Sequence, residues 1–211
     1  MKAFLVANPK GGSGKSTLAT NLAGYFANQH RSVMLGDTDR QQSSRDWLTL
    51  RPPECPAIQT WDIDHEHIAR PPKGVSHVVL DTPAGLHGKM LDKVLKLSAR
   101  VIVPVQPSTF DMLATRRFLD QLLDEKAIRK GRADIALIGM RVDARTRAAA
   151  ELERFFERLE LPVLTCLRNA QVYVQAAAAG LTLFDLPPSR VERDIEQWQP
   201  IIDWAGLQAG Q

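Results

Sequence analysis

Residues 8–17 read Asn8-Pro9-Lys10-Gly11-Gly12-Ser13-Gly14-Lys15-Ser16-Thr17, directly after the apolar run Ala3-Phe4-Leu5-Val6-Ala7. A buried strand that leads into a glycine-rich turn and then a helix is typical of a phosphate-binding loop, because backbone N–H groups and the helix N-terminus both face the anion. Lys15 is placed to reach the β- and γ-phosphates, and the Ser16 hydroxyl to ligate Mg²⁺. The loop from Pro9 to Thr17 is therefore predicted to bind a nucleotide.

A second lysine, Lys10, precedes the glycines, and Pro9 stands where the common motif has its first glycine. Lys10 cannot easily fold back onto phosphates that Lys15 already serves, so it is better placed to reach across an interface. This arrangement resembles the deviant Walker A motif of the ParA/MinD family of P-loop ATPases, and it is most similar to small ParA-type (ParF-like) partition ATPases. In that family this lysine contacts the nucleotide of the opposite subunit, so the resemblance implies an ATP-sandwich homodimer.

Length and composition bound the class of protein. A chain of 211 residues with 44% hydrophobic content can bury one substantial core, which predicts a single domain over residues 1–211. No stretch approaches the roughly 20 apolar residues that span a bilayer, so a cytoplasmic protein is expected. Cys55 and Cys166 are far apart and suggest neither a disulfide framework nor a metal knuckle.

Apolar runs and their spacing predict alternating strands and helices. Buried strands are predicted at 2–7, 32–36, 75–80, 100–105 and 135–139, and amphipathic helices at 16–28, after Pro107 and after Asp143. This alternation predicts an α/β fold with a doubly wound, mostly parallel sheet and helices on both faces. Ligands in such folds bind beyond the carboxyl ends of the strands.

The second strand ends in Gly36-Asp37-Thr38-Asp39-Arg40-Gln41, which places two carboxylates at that edge. An aspartate at such a position commonly caps a helix. The phosphate loop instead favours carboxylates near the γ-phosphate and its metal, and Asp37 is a predicted metal-site residue. The segment resembles the family's switch I motif, and the resemblance implies that Asp39 positions or activates the attacking water. Arg40 replaces the usual proline, so a fixed φ angle is lost.

The third strand runs into Asp81-Thr82-Pro83-Ala84-Gly85, a Walker B arrangement in which a carboxylate at a strand end holds the Mg²⁺ through water. The predicted metal-site residues are therefore Ser16, Asp37 and Asp81. The segment from Pro83 resembles the family's switch II, which responds to the γ-phosphate.

Adenine contacts are predicted from the resemblance alone. In the family, residues after the strand at 135–139 often lie near the base, and Met140 and Arg141 occupy that position here. The segments 103–108 and 171–174 also resemble ParA sequences, so the similarity extends to about Phe184. The chemistry it implies is slow attack of water on the γ-phosphate of ATP, with Mg²⁺, Lys15 and Lys10 stabilising the developing charge.

The predicted helix after Asp143 carries a basic stripe consisting of Arg145, Arg147, Arg154 and Arg158. Such a stripe suits a nucleic-acid backbone. The competing interpretation is a solvated face with intrahelical ion pairs, because three glutamates share the helix: Glu151, Glu153 and Glu157. The resemblance favours DNA, since ParA proteins bind nonspecific DNA as ATP dimers, and the net charge of +3 permits such a partner.

Two further segments have patterns that other functions also use. The apolar stripe at 191–205 has more acidic than basic residues on its polar side, so it is predicted to pack onto the domain and not onto a membrane. The run Asp62-Ile63-Asp64-His65-Glu66-His67 contains many possible metal ligands, but such clusters are mostly solvated loops, and no metal site is assigned to it.

The sequence therefore predicts a ParA-type ATPase that uses ATP and Mg²⁺, dimerises on ATP, binds nonspecific DNA at the nucleoid and positions or partitions a cargo. A ParB-like or other cargo adaptor would stimulate hydrolysis. Two alternatives stay open: a metabolic P-loop enzyme, such as a dethiobiotin-synthetase-like ligase or a small-molecule kinase, and a DNA-free assembly regulator. A nitrogenase-iron-protein-like electron carrier is disfavoured because neither cysteine follows the Walker B strand.

Overall fold

A computed structural model describes residues 1–63 and 70–206. In these residues seven strands form one sheet with the order β3-β2-β4-β1-β5-β6-β7, and every pairing is parallel. The strands are β1 (Lys2–Val6), β2 (Val33–Asp37), β3 (Gln59–Trp61), β4 (His77–Asp81), β5 (Arg100–Val105), β6 (Asp134–Val142) and β7 (Val163–Arg168). The order reverses direction beside β1, which is where doubly wound sheets bind ligands.

The described residues contain eight α-helices, six of them between strands and the last two after β7: α1 (Lys15–Asn28), α2 (Ser43–Thr49), α3 (Gly88–Leu97), α4 (Thr109–Asp124), α5 (Lys126–Arg129), α6 (Arg147–Glu157), α7 (Gln171–Ala178) and α8 (Pro188–Trp204). A 3₁₀ turn, Leu183–Asp185, precedes α8. No helix among the described residues is both long and apolar enough to cross a bilayer.

The sheet separates two apolar cores, because successive strand residues point to opposite faces. On β1, Leu5 joins the core that holds Leu152 of α6, whereas Phe4 joins the core that holds Trp198 of α8. Helices α3, α4 and α6 cover the first face, and α1, α2 and α8 cover the second. The predicted α/β fold with helices on both faces of the sheet is confirmed.

The five predicted strands and three predicted helices are present, with ends that differ by a few residues. The strands β3 and β7 at the two edges were not predicted: β3 has three residues, and β7 is only partly buried. The C-terminal stripe packs onto the domain as predicted, with Val191, Trp198 and Ile201 buried in α8. Residues 64–67 of the possible metal cluster lie outside the described residues.

Candidate nucleotide-binding site

The phosphate loop joins β1 to α1 and wraps around the Lys15 ammonium. Lys15 Nζ donates to the Lys10 carbonyl at 2.8 Å and approaches Ser13 Oγ at 3.5 Å, and the side chain is buried. Burial lowers the pKa of Lys15, while the nearby carboxylates of Asp81 and Asp39 oppose that effect. The loop therefore places a cation between its own backbone and the acidic strand ends, where phosphate oxygens can replace the carbonyl as its partner.

Gly14 makes the turn into α1. Its φ of 96° is in the left-handed region, and an added Cβ would lie 2.6 Å from Met140 Cε. Only glycine adopts such a backbone without strain. The predicted nucleotide residue Met140 lies on β6, two strands away from β1, and its side chain packs directly against the phosphate loop.

Asn8 anchors the start of the loop, a role that the sequence alone did not indicate. Its Nδ2 donates to the Pro104 carbonyl of β5 at 2.7 Å and to Thr115 Oγ1 of α4 at 3.0 Å, and its Oδ1 accepts from the Lys10 backbone N–H at 2.8 Å. Asn8 is 1% exposed, so all three bonds are shielded from water. They fix the position of the Lys10 backbone relative to β5 and α4.

The two strand-end carboxylates Asp37 and Asp81 lie opposite each other, because β2 and β4 pair in the register Asp37 with Asp81. Asp81 is 2% exposed, and its Oδ1 has no hydrogen-bond partner. Burial raises the pKa of Asp81 to about 6; the Ser16 hydroxyl lowers it and the charge of Asp37 raises it further. A buried, incompletely paired carboxylate beside the Ser16 hydroxyl fits the oxygen ligands that Mg²⁺ prefers.

Asp37 also supports the start of α2. Its Oδ2 accepts from the Ser44 backbone N–H and hydroxyl, both at 2.9 Å, and its Oδ1 accepts from the Asp39 backbone N–H at 2.9 Å. The helix-capping role that the sequence made the less favoured interpretation is therefore present. The metal role of Asp37 stays a prediction. The carboxylate that caps α2 still has lone pairs with which it could bind a metal.

Asp39 is half-buried at the same edge. Its Oδ1 accepts from the Gln41 backbone N–H at 3.0 Å, and its negative charge raises the pKa of Lys15 against the effect of burial. Arg40, which replaces the family proline, is exposed. The structure thus brings Lys15, Asp39 and Asp81 together, as a site for a phosphate and its metal requires.

A cavity of about 530 Å³ opens beside the first turn of α1. Three predicted nucleotide residues, Thr17, Met140 and Arg141, line it, together with Asn169 and Val174. Asn169 follows β7, and Val174 lies in α7. Of these two residues, only Val174 belongs to the stretch 171–174 that resembles ParA sequences. This cavity is the candidate base pocket.

Lys10 is half-buried at the outer side of the loop. Its backbone is held by Asn8 and Lys15, but within residues 1–63 and 70–206 its ammonium has no hydrogen-bond or ion-pair partner. A fixed backbone with a free charged end differs from the enclosed Lys15. The ammonium groups of Lys10 and Lys15 therefore have different surroundings within the same loop.

The four arginines predicted to bind DNA lie away from this site, on and around α6. Arg145 is paired with Asp143 at 3.0 Å, whereas Arg147, Arg154 and Arg158 are exposed. Among the described residues these three form no ion pair with the glutamates of the helix. The predicted intrahelical pairs are thus absent there, and three unpaired cations share one helical face.

The model of the CobQ/CobB/MinD/ParA nucleotide binding domain matches residues 4–183, most of the chain and all of the loop and strand ends described above. The chain belongs to this family. It is a ParA-type ATPase domain with a deviant Walker A motif, as the resemblance at Lys10 predicted.

The relatives extend this result. The chain is 28% identical over 195 residues to maintenance of carboxysome distribution protein A of Halothiobacillus neapolitanus, covering 88% of each chain. A Cyanothece McdA variant in complex with ATP has a TM-score of 0.75 at 15% identity, covering 100% of this chain and 98% of that one. A Borrelia burgdorferi protein described as a putative plasmid partition protein, bound to AMPPNP, has a TM-score of 0.71 at 17% identity, covering 96% and 99%. These two structures have the same fold.

Proposed function

We propose that the protein is an ATPase that dimerises around ATP, binds nonspecific DNA and positions a cargo, with slow hydrolysis stimulated by a cargo-bound partner. The single observation that carries the proposal is Lys10, whose backbone is fixed by the loop while its ammonium is unpaired among the described residues. The rest of the phosphate loop needs no second lysine to bind one nucleotide.

In the proposed reaction the chain's own groups bind the triphosphate and hold charge. The loop N–H groups and Lys15 would bind the β- and γ-phosphates, and Asp39 would orient the attacking water through its half-exposed carboxylate. Ser16 and Asp81, with Asp37 beside them, would hold Mg²⁺, which when bound neutralises phosphate charge. Burial is the main cause of the raised pKa of Asp81, and the charge of the neighbouring Asp37 raises it further, so a bound cation would stabilise the ionised carboxylate.

The surface beside Lys10 supports dimerisation. Phe110 and Leu113 in the first turns of α4 are 76% and 57% exposed. They lie beside the loop because Thr115 of the same helix is bonded to Asn8, and Gln106 before it donates to the Gly12 carbonyl. A second copy facing Lys10 would cover these apolar side chains.

The unpaired arginines of α6 support DNA binding. Three exposed cations on one face suit contacts to phosphates and not to bases, because the nearby Phe155 and Phe156 pack into the core. Arg147 begins α6 shortly after β6 ends, whereas Arg154 and Arg158 lie at the other end of the helix, away from the carboxyl ends of the strands. DNA bound at Arg154 and Arg158 would therefore leave the surface beside Lys10 open to a second copy. The proposed ATP-bound dimer would then reside on the nucleoid of the cytoplasm.

The curated relatives favour a protein assembly as the cargo. Maintenance of carboxysome distribution protein A of Halothiobacillus neapolitanus aligns with more than four fifths of this chain. We therefore place a protein assembly ahead of a plasmid or a chromosomal origin as the cargo.

Equilibrium binding of a random-sequence DNA duplex tests the proposal. The measurement uses Mg²⁺ with ADP or with a slowly hydrolysed ATP analogue, at two salt concentrations, for the natural protein and Lys10→Ala. Binding that requires the ATP analogue, weakens with salt and is lost in Lys10→Ala is expected. Absence of binding with either nucleotide, in a protein shown to bind ATP, would contradict the proposal and favour a metabolic enzyme or a DNA-free regulator.

A further inference from the structure

A groove of about 610 Å³ lies between the 3₁₀ turn and the first turns of α8, on the face of the sheet opposite α6. We call it the α8 groove and define it by the apolar side chains Leu183, Phe184, Leu186, Val191 and Ile195. Phe184, Leu186 and Ile195 are only half-buried, so the groove presents apolar surface to solvent.

The floor of the groove is rigid. Asp185, in the middle of the turn, forms a bidentate ion pair with Arg51 at 2.9 Å for each bond and also accepts from the Thr182 N–H at 2.8 Å. Both partners of the ion pair are almost fully buried. Phe184 stacks edge-on against Trp198 at 5.5 Å between ring centroids. A partner would therefore meet a preformed surface, and little ordering cost would oppose binding.

The rim of the groove is acidic, although the whole chain carries a net charge of +3. Glu192 and Glu196 line the groove one helical turn apart and are exposed. Within the described residues neither carboxylate has an ion-pair or hydrogen-bond partner. Two like charges at this spacing repel each other, so a cation that lies between them gains from both.

We propose that the α8 groove docks a basic amphipathic segment of a partner protein, with apolar side chains on the groove floor and Lys or Arg at Glu192 and Glu196. Apolar recognition in a groove with charges at its rim is a common way to bind a helix. The groove contacts the last turns of α1 through Tyr25 and Asn28, whereas the phosphate loop is at the start of that helix. The groove is thus separate from the carboxyl ends of the strands and from the α6 arginines. It would stay open in a dimer whose two copies face each other at Lys10.

The inference rests on the proposed function only in the identity of the partner, which would be the cargo adaptor. Binding to the groove itself requires neither nucleotide nor DNA. A failure of the groove and a failure of the ATP-dependent cycle are therefore distinguishable in separate assays.

The test uses two labelled helical peptides of about 15 residues, with the same leucine face and either lysine or glutamate at all other positions. Fluorescence anisotropy is measured with the full chain, nucleotide-free, for the natural protein, for Glu192→Gln with Glu196→Gln, and for Glu151→Gln with Glu153→Gln. The last variant removes the same charge from exposed positions of α6. We expect the lysine peptide to bind the natural protein and the α6 variant alike, and the α8 variant about tenfold more weakly.

Ile195→Ala tests the apolar floor separately and is expected to weaken binding of the lysine peptide. Circular dichroism would show that this variant retains the fold. Equal binding of both peptides, or equal loss in the α6 and α8 variants, would overturn the proposal. So would nucleotide-independent dimerisation that Ile195→Ala disrupts, because a second copy would then occupy the groove.

Discussion

Replacing Asp81 by asparagine should stabilise the nucleotide-free protein while removing its response to Mg²⁺-nucleotide. Burial raises the pKa of Asp81 from 3.8 to about 6, so at neutral pH the folded state ionises this carboxyl at a cost that the unfolded chain does not have. The difference between the two pKa values corresponds to about 3 kcal/mol. Asparagine has nearly the same shape and no charge, so Asp81→Asn should gain up to about 3 kcal/mol in the free energy of unfolding at pH 7.

The sign of the pH dependence follows from the same values. Below pH 3.8 the carboxyl is protonated in both states and has no effect on stability; between 3.8 and about 6 the unfolded chain ionises first, so stability falls as pH rises. Above pH 6 the penalty is constant. The advantage of Asp81→Asn should therefore be largest at pH 7 and shrink toward pH 4.

Urea unfolding of the nucleotide-free protein at pH 7 and pH 4 measures this advantage. Asp39→Asn is the matched control, because Asp39 is only half-buried and no comparable gain is expected. With Mg²⁺ and an ATP analogue, the natural protein should gain stability and Asp81→Asn much less. An Asp81→Asn protein that is less stable than the natural one at pH 7, or whose advantage over the natural protein is the same at both pH values, would refute the reasoning.

Three other changes have defined outcomes. Gly14→Ala should cost about 1–2 kcal/mol and abolish ATP binding, because alanine is strained at a φ of 96°; unchanged melting and nucleotide titration would contradict this. Burial lowers the pKa of His77 to about 4, so as the pH falls the unfolded chain binds a proton before the folded protein does. The stability advantage of the natural protein over His77→Gln should therefore shrink by about 3 kcal/mol from pH 6.5 to pH 4, as denaturant unfolding would measure. Arg154→Ala with Arg158→Ala should reduce the salt dependence of DNA binding, whereas Arg190→Ala on α8 should not; equal effects would argue against the α6 face.

The sequence was most informative where chemistry imposes a fixed spacing. The loop from Pro9 to Thr17 and the strand-end Asp81 could be located because phosphate and metal binding demand those residue types after buried strands. The central strands were predictable for a related reason, since strands covered on both faces are continuous apolar runs. The edge strands β3 and β7 are short or partly exposed and lack that signal.

The missed site residues depend on tertiary contacts. Asn8 is one polar residue in a loop, and its role follows only from the neighbouring positions of Pro104 and Thr115 on elements about 100 residues away. The cap that Asp37 provides to α2 could be anticipated only as one of two interpretations, because the same residue type serves a helix start and a metal. Asn169 in the candidate base pocket follows β7, a strand that was not predicted.

The mass of the protein in solution tests the central claim most directly. Sedimentation equilibrium with Mg²⁺ and a slowly hydrolysed ATP analogue should give twice the chain mass of 23.5 kDa for the natural protein, and the chain mass with ADP. Lys10→Ala should bind the analogue and stay at the chain mass, because its phosphate loop is intact while the lysine that would reach the partner's nucleotide is gone. A Lys10→Ala protein that dimerises as the natural protein does, or a natural protein that binds the analogue and stays monomeric, would contradict the account.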